Sequence, residues 1–173
     1  MTKEQLCRKV LDNNKKENTK IIVSDEIKGN YYFYLNNTIY LSKAQNCESK
    51  EAVVICHECI HAMQSKILHV LNLIFSNIEL ILFFAIVLMK IFKYENIVLI
   101  GAYLVIAFLA ISIRSALEIP AMIYSFDFAK KYVPQLSDEL EKAKKSIKYM
   151  LPLGILKFAG LKLIRVLIIL LCI

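Results

Sequence analysis

The spacing of apolar and polar residues predicts a short helix, then a small sheet, and then a series of long apolar helices. Near the N-terminus, Leu6, Val10 and Leu11 recur at helical spacing and give one apolar face. Thr2 and Gln5 stand just before them at the spacing of a capping box, which favours a helix start. The chain is therefore predicted to begin with an amphipathic helix.

Three short segments after this helix are rich in β-branched and aromatic residues, which is typical of strands. They cover residues 20–24, 31–35 and 38–42. The pair Asn36-Asn37 between the last two suits a tight hairpin turn, since asparagine tolerates positive φ. We expect a small antiparallel sheet. Its role is either to form part of the core or, in addition, to pair an edge strand with an extended peptide.

The rest of the chain is dominated by apolar segments. Residues 67–89 and 97–113 each have the length and composition of a membrane-spanning helix. Residues 150–173 are also apolar but contain three basic residues, so they are predicted either to span as a third helix or to lie in the interface. Glu79 would be costly in lipid, and we expect it to face the bundle interior with Arg165 or Lys162 as its partner.

Composition and charge agree with a membrane protein. The hydrophobic fraction is 57%, above the roughly 45–50% of soluble domains. The net charge is +7, but the lysines are dispersed among carboxylates rather than gathered with aromatic residues, so we expect the lipid bilayer and no nucleic acid as partner. The five cysteines are odd in number and scattered, which indicates a reducing compartment. Because Lys and Arg are plentiful before the first span and over residues 114–148, these regions are predicted to be cytoplasmic.

The strongest chemical signal is the H-E-x-x-H motif from His57 to His61, which lies in a predicted helix. Residues four apart share one helical face, so both imidazoles can ligate one Zn²⁺. Glu58 lies about 100° round the helix, where it can act as general base on a metal-activated water. The chain has only three histidines, and the motif uses two of them.

A catalytic zinc site needs a third protein ligand. His69 lies about 12 Å along a continuous helix from His61, so we expect it to be a polar residue at the membrane surface or interior. Glu118 is a lone carboxylate at the end of the second predicted span. Because a hairpin of two spans returns the chain to the level of the motif, Glu118 is the better candidate; the alternative is an ordinary carboxylate beside the membrane.

Two further expectations concern the helix of the motif. Polar residues recur every three or four positions from His57 to Glu79, which predicts that this helix continues into the first span. A break near Lys66 is the competing possibility. Cys56 and Cys59 form a C-x-x-C pattern, but they point away from the histidine face and are predicted to be buried small residues.

The chain resembles the YugP-type neutral zinc metallopeptidases, small membrane proteases of the Glu-zincin kind, over nearly its whole length. The resemblance is carried by the helix 4–11, the hairpin ending at 38–42, H-E-x-x-H-A-x-Q at 57–64, two apolar helices, E-x-x-A at 118–121, the helix 138–148 and a final apolar segment. It implies that His57, His61 and Glu118 bind zinc and that Glu58 is catalytic. The chain departs from the family in starting directly at the first soluble helix. It also departs at Pro120, where the family tends to have Asn or Asp.

The predicted fold class is therefore mainly α with a small antiparallel β-sheet, in which a zincin-like catalytic region is fused to a bundle of two or three transmembrane helices. Four segments are predicted: the zincin-like half 1–66, the transmembrane hairpin 67–113, the third-ligand and cytoplasmic helices 114–149, and the C-terminal membrane helix 150–173. The predicted function is a multi-pass zinc endopeptidase of the cell membrane. It would act from the cytoplasmic side on peptide or protein substrates, including membrane-associated ones.

Two other functions compete with this prediction. An intramembrane protease of the site-2 kind would need the motif within a span and an Asp-Gly ligand motif, and the chain has no Asp-Gly. A non-catalytic metal-binding membrane protein or scaffold, such as a degenerate protease, would bind zinc without hydrolysing peptides.

Overall fold

The computed structural model describes residues 1–43, 47–94, 96–148 and 151–171, and for 143–148 and 151–158 it describes the helical backbone alone. The protein is mainly helical with a small three-stranded sheet, as the sequence predicts. Its elements are α1 (Lys3–Asp12), β1 (Lys20–Ser24), β2 (Tyr31–Phe33), β3 (Thr38–Ser42), α2 (Ser49–Met63), α3 (Lys66–Ile91), α4 (Ile97–Tyr132), a 3₁₀ turn (Pro134–Leu136), α5 (Ser137–Lys148) and α6 (Leu151–Leu171).

Helix α1 forms as its sequence predicts. The Gln5 backbone N–H donates to Thr2 Oγ1 at 3.2 Å, and the Thr2 backbone N–H donates to Gln5 Oε1 at 3.0 Å. This capping box satisfies backbone donors that a helix start leaves without partners. Leu6, Val10 and Leu11 are fully buried on the inner face of the helix.

The sheet is mixed, so the prediction of an antiparallel sheet is wrong. The strand order is β1-β3-β2, with β2 antiparallel and β1 parallel to the central strand β3. The alternation of apolar residues specifies which face of a strand is buried, but it carries no information on the direction of the neighbouring strand. A turn joins β2 to β3 as predicted, but β2 ends at Phe33 and the turn covers residues 34–37 rather than the pair 36–37 alone. Asn37 within it adopts a φ of 53°.

The motif helix does not continue into the first apolar helix, so the prediction of one continuous helix is wrong and the break near Lys66 is found. Helix α2 ends at Met63, and Gln64 has an extended backbone with ψ of 165°. The Gln64 N–H still bonds Ile60 O at 3.1 Å, which closes the last turn before the chain leaves the helix. At its other end α2 begins at Ser49, with Glu48 as the N-cap.

The first of two compact units comprises Met1–Ser65 and Ile119–Leu151. Its core combines the inner faces of α1 and the sheet with α2 and the segment from the end of α4 into α5. Buried members from these elements include Leu11, Ile39, Ile55, Tyr132 and Leu140. This packing fixes the α2 helix on which the H-E-x-x-H motif lies.

The second unit comprises Lys66–Glu118 and Pro152–Ile173. Helices α3 and α4 are long and apolar enough to cross a membrane, by length and composition. Helix α4 has 36 residues and passes through Pro120 without ending, so the two predicted segments that meet at 113 and 114 share one helix. A small apolar cluster within the unit includes Ile86, Tyr103 and Ile169. The division into four segments stays a prediction.

Candidate metal centre

The two histidines of the motif face each other on α2. They lie one helical turn apart, and their Nε2 atoms are 3.0 Å from each other. The rings meet edge to face at an interplanar angle of 86°. His61 is buried, with 8% of its surface exposed, whereas His57 is partly exposed. The four-residue spacing therefore directs one nitrogen of each ring to a common point.

Gln64 orients the His61 ring. Its side-chain Oε1 lies 2.8 Å from His61 Nδ1. Because an amide oxygen only accepts hydrogen bonds, this contact favours a proton on Nδ1, so in a neutral ring the acceptor nitrogen is Nε2, which faces His57. Sequence reasoning did not single out Gln64 for this role. The signal was its position three residues after His61, within reach on a helical turn.

Glu118 comes beside the two histidines. The potential ligand atoms of His57, His61 and Glu118 all lie within 4.8 Å of one another. Glu118 occupies the turn of α4 that leads directly into Ile119 of the first unit. Its side chain is 13% exposed, and its Oε1 pairs with Arg114 Nη2 at 2.5 Å. A carboxylate offers about four lone-pair sites, so a group that pairs with an arginine can also serve as a metal ligand.

The histidine geometry suits a shared cation. Two nitrogens bound to one tetrahedral zinc at its usual bond length lie about 3.3 Å apart, close to the observed 3.0 Å. Two unprotonated nitrogens at this distance would repel each other, and a proton or a metal ion between them removes that repulsion. An Nδ1–H that is held by a neighbouring oxygen is the usual support of a histidine ligand. The His57–His61–Glu118 cluster could therefore bind a metal ion.

Glu58 contacts the sheet. Its Oε2 accepts a hydrogen bond from the backbone N–H of Tyr32 at 2.7 Å. Tyr32 is the middle residue of β2, which is an edge strand because, among the described strands, it pairs with β3 alone. Burial raises the pKa of the Tyr32 phenol above its ordinary value, and its hydroxyl donates to Asn37 Oδ1 at 3.0 Å. The fold thus brings Glu58, the predicted general base, to the outer strand of the sheet, a contact that the sequence did not indicate.

The remaining histidine and the C-x-x-C pair lie elsewhere. His69 is buried on α3 and is not a member of the three-residue group found in the described part of the chain. Cys56 and Cys59 are fully buried, as predicted, and Cys59 Sγ lies 3.6 Å from Cys7 Sγ. Burial raises the pKa of both thiols of the pair, which disfavours the thiolate that a metal would need.

Comparison with known proteins gives no assignment. A scan against protein-family models, a search of the curated proteins and a search of the solved structures each find no match to this chain. The resemblance to the YugP-type metallopeptidases therefore rests on the sequence motifs alone, and the roles that it implies stay predictions.

Proposed function

We propose that the protein is a membrane-anchored, zinc-dependent endopeptidase. The observation that carries this proposal is the convergence of His57, His61 and Glu118 within 4.8 Å, with Glu58 adjacent in the same helix. Two histidines and one glutamate are a donor set known from catalytic zinc sites, which keep a fourth position for water or substrate. The cluster fits this set in the identity of its donors and in the spacing of the two histidine nitrogens.

The chain's own residues supply the proton transfers. Zinc, when bound, contributes Lewis acidity, which polarises a peptide carbonyl and makes water a stronger acid. The Glu58 carboxylate takes a proton from the attacking water and passes it to the leaving amine. The Tyr32 N–H holds one oxygen of Glu58 and so fixes the orientation of the carboxylate. β2 is the strand of the sheet nearest to Glu58, so an extended peptide that pairs beside it would lie next to the proposed general base.

The apolar surface of α3 and α4 supports a position in the cell membrane. In the most apolar 18-residue stretches of α3 and α4, only 11% and 22% respectively is buried within the protein. An apolar exposed surface of this length would promote aggregation in water, whereas lipid solvates it. The excess of Lys and Arg outside the loop between these helices favours a multi-pass topology with the metal site on the cytoplasmic side. The proposed substrates are peptides or proteins, including membrane-associated ones.

The test compares zinc content and peptide hydrolysis in the detergent-solubilised full chain. We expect about one zinc per chain in the wild type. Glu58→Gln should keep the zinc and lower the rate of cleavage by about 10²–10⁴-fold, since it removes the general base without removing a ligand. Glu118→Gln should lose zinc while it preserves side-chain size and a hydrogen bond to Arg114. Glu139→Gln, at an exposed position on α5, is the matched control and should change neither quantity.

Two results would overturn the proposal. Cleavage by Glu58→Gln at the wild-type rate would refute the proposed mechanism. Full zinc content in Glu118→Gln would refute the proposed ligand set. Stoichiometric zinc without hydrolysis of casein-like or membrane substrates would instead favour the non-catalytic metal-binding protein.

A further inference from the structure

A buried cluster of charged residues lies within the second unit, apart from the metal centre. Glu79 of α3 is fully buried, and its Oε2 accepts hydrogen bonds from Arg165 Nη1 at 2.8 Å and from Lys162 Nζ at 3.1 Å. Its Oε1 accepts from the Tyr103 hydroxyl of α4 at 3.3 Å, and Lys162 Nζ also donates to Ser76 Oγ at 3.3 Å. Both sequence-predicted partners of Glu79 are thus confirmed, and the cluster joins α3, α4 and α6.

The members of the cluster lie near the middle of their helices. Glu79 is about 20 Å along the axis of α3 from Lys66, at 1.5 Å per residue. Lys162 is likewise central in α6, and Arg165 follows one turn later, with apolar residues on both sides of each. In a helix that crosses a bilayer, such positions lie in the hydrocarbon region, where water cannot solvate a charge.

The basic residues decide whether α6 can cross a membrane. Its length of 21 residues is sufficient, but three basic side chains oppose insertion of the isolated helix. Glu79 meets two of them with direct charge-assisted hydrogen bonds. In addition, the guanidinium of Arg165 lies over the Phe83 ring, at 5.8 Å from its centroid.

We propose that α6 crosses the membrane as a third span and that Glu79 is the residue that makes this crossing possible. The proposal rests on the membrane-crossing part of the proposed function and is independent of peptidase activity. It places the C-terminal end of α6 on the side of the membrane opposite to the N-terminus. If α6 lay in the interface, both ends of the chain would be on the same side.

The charges of the cluster predict an asymmetry between its members. Two cations meet one carboxylate, so the loss of one cation leaves a balanced pair, whereas the loss of Glu79 leaves two cations without a counterion. Lys162→Leu should therefore preserve the crossing through the remaining pair of Glu79 and Arg165. Glu79→Leu should abolish it, although the leucine itself favours the membrane.

The experiment reads the topology of the full chain with epitope tags in bacterial spheroplasts. Separate versions carry the tag before Met1, after Lys93 or after Ile173, and antibody binding is compared in intact and permeabilised spheroplasts. For the wild type we expect the tags after Lys93 and Ile173 to be accessible from outside and the tag before Met1 to be protected. In Glu79→Leu, the accessible fraction of the C-terminal tag should fall by about fivefold or more. Glu139→Leu, the same substitution at an exposed carboxylate, should leave it unchanged.

A triple variant makes the test decisive if Glu79→Leu is degraded. Replacement of Glu79, Lys162 and Arg165 together by leucine removes the cations along with their counterion, so the C-terminal tag should again be accessible from outside. Failure of this rescue, a protected C-terminal tag in the wild type, or an unchanged tag in Glu79→Leu would each overturn the proposal. A protected tag after Lys93 would instead refute the membrane-crossing part of the proposed function.

Discussion

The hydrogen bond between Gln64 and His61 provides a sharp test of the candidate metal centre. We predict that Gln64→Ala weakens zinc binding without removing a ligand. The substitution deletes the oxygen that lies 2.8 Å from His61 Nδ1, in a residue that is only 8% exposed. Loss of the acceptor leaves a buried N–H unsatisfied and frees the ring to rotate, and partners of this kind contribute about 10–100-fold to metal affinity. This corresponds to about 1.4–2.7 kcal/mol in the free energy of zinc binding.

Competition with a chromogenic chelator measures the zinc dissociation constant of the metal-free, detergent-solubilised protein. Gln64→Glu should keep or increase the affinity, because a carboxylate accepts the Nδ1–H more strongly than an amide does. Gln135→Ala, at an exposed position, is the matched control and should bind zinc as the wild type does. If Gln64→Ala binds zinc within about twofold of the wild type, the hydrogen bond does not support the His61 ligand and the assignment of its role is wrong.

Two other predictions concern the stability of the first unit. Burial raises the pKa of the Cys56 thiol above its ordinary value, so its contribution to the free energy of unfolding is complete below the pKa of a thiol in the unfolded chain and is lost as the pH rises further. Cys56→Ala should flatten this alkaline loss by up to about 1.4 kcal/mol per pH unit in denaturant titrations. Lys3 is nearly buried and its Nζ lies 2.7 Å from Glu51 Oε1, so Glu51→Gln should lower the free energy of unfolding by about 1–3 kcal/mol, less than for a fully buried pair because Glu51 is partly exposed. Asp25→Asn, which breaks the exposed pair with Lys43, should cost clearly less stability than Glu51→Gln, and an equal loss in the two variants would contradict this reasoning.

Local features of the fold could be predicted because they depend on neighbours in sequence. The capping box of α1, the strand segments, the turn at Asn37 and the start of the apolar helices all follow from residue types at short spacing. The H-E-x-x-H motif belongs to the same class, since four residues of helix bring His57 beside His61 without help from the rest of the chain.

Features that join distant segments depended on the tertiary structure. The parallel direction of β1 is set by its pairing with β3, and no residue pattern within β1 encodes it. The periodicity of polar residues also failed to predict the end of α2 at Met63, because the same periodicity continues into α3 across a break of two residues. Sequence reasoning named Glu118 and the partners of Glu79 as candidates from membrane geometry and charge cost, but it could not give their distances.

Local sequence is enough to specify a histidine pair with an adjacent glutamate and apolar helices of membrane-spanning length. Which other groups contact these residues depends on the folded chain. In the folded protein the Tyr32 backbone N–H donates to Glu58, and the side-chain amide oxygen of Gln64 lies against His61. Glu79 pairs with two cations. Local features can be predicted because helix and strand geometry act over a few residues, whereas contacts between elements depend on how the whole chain packs.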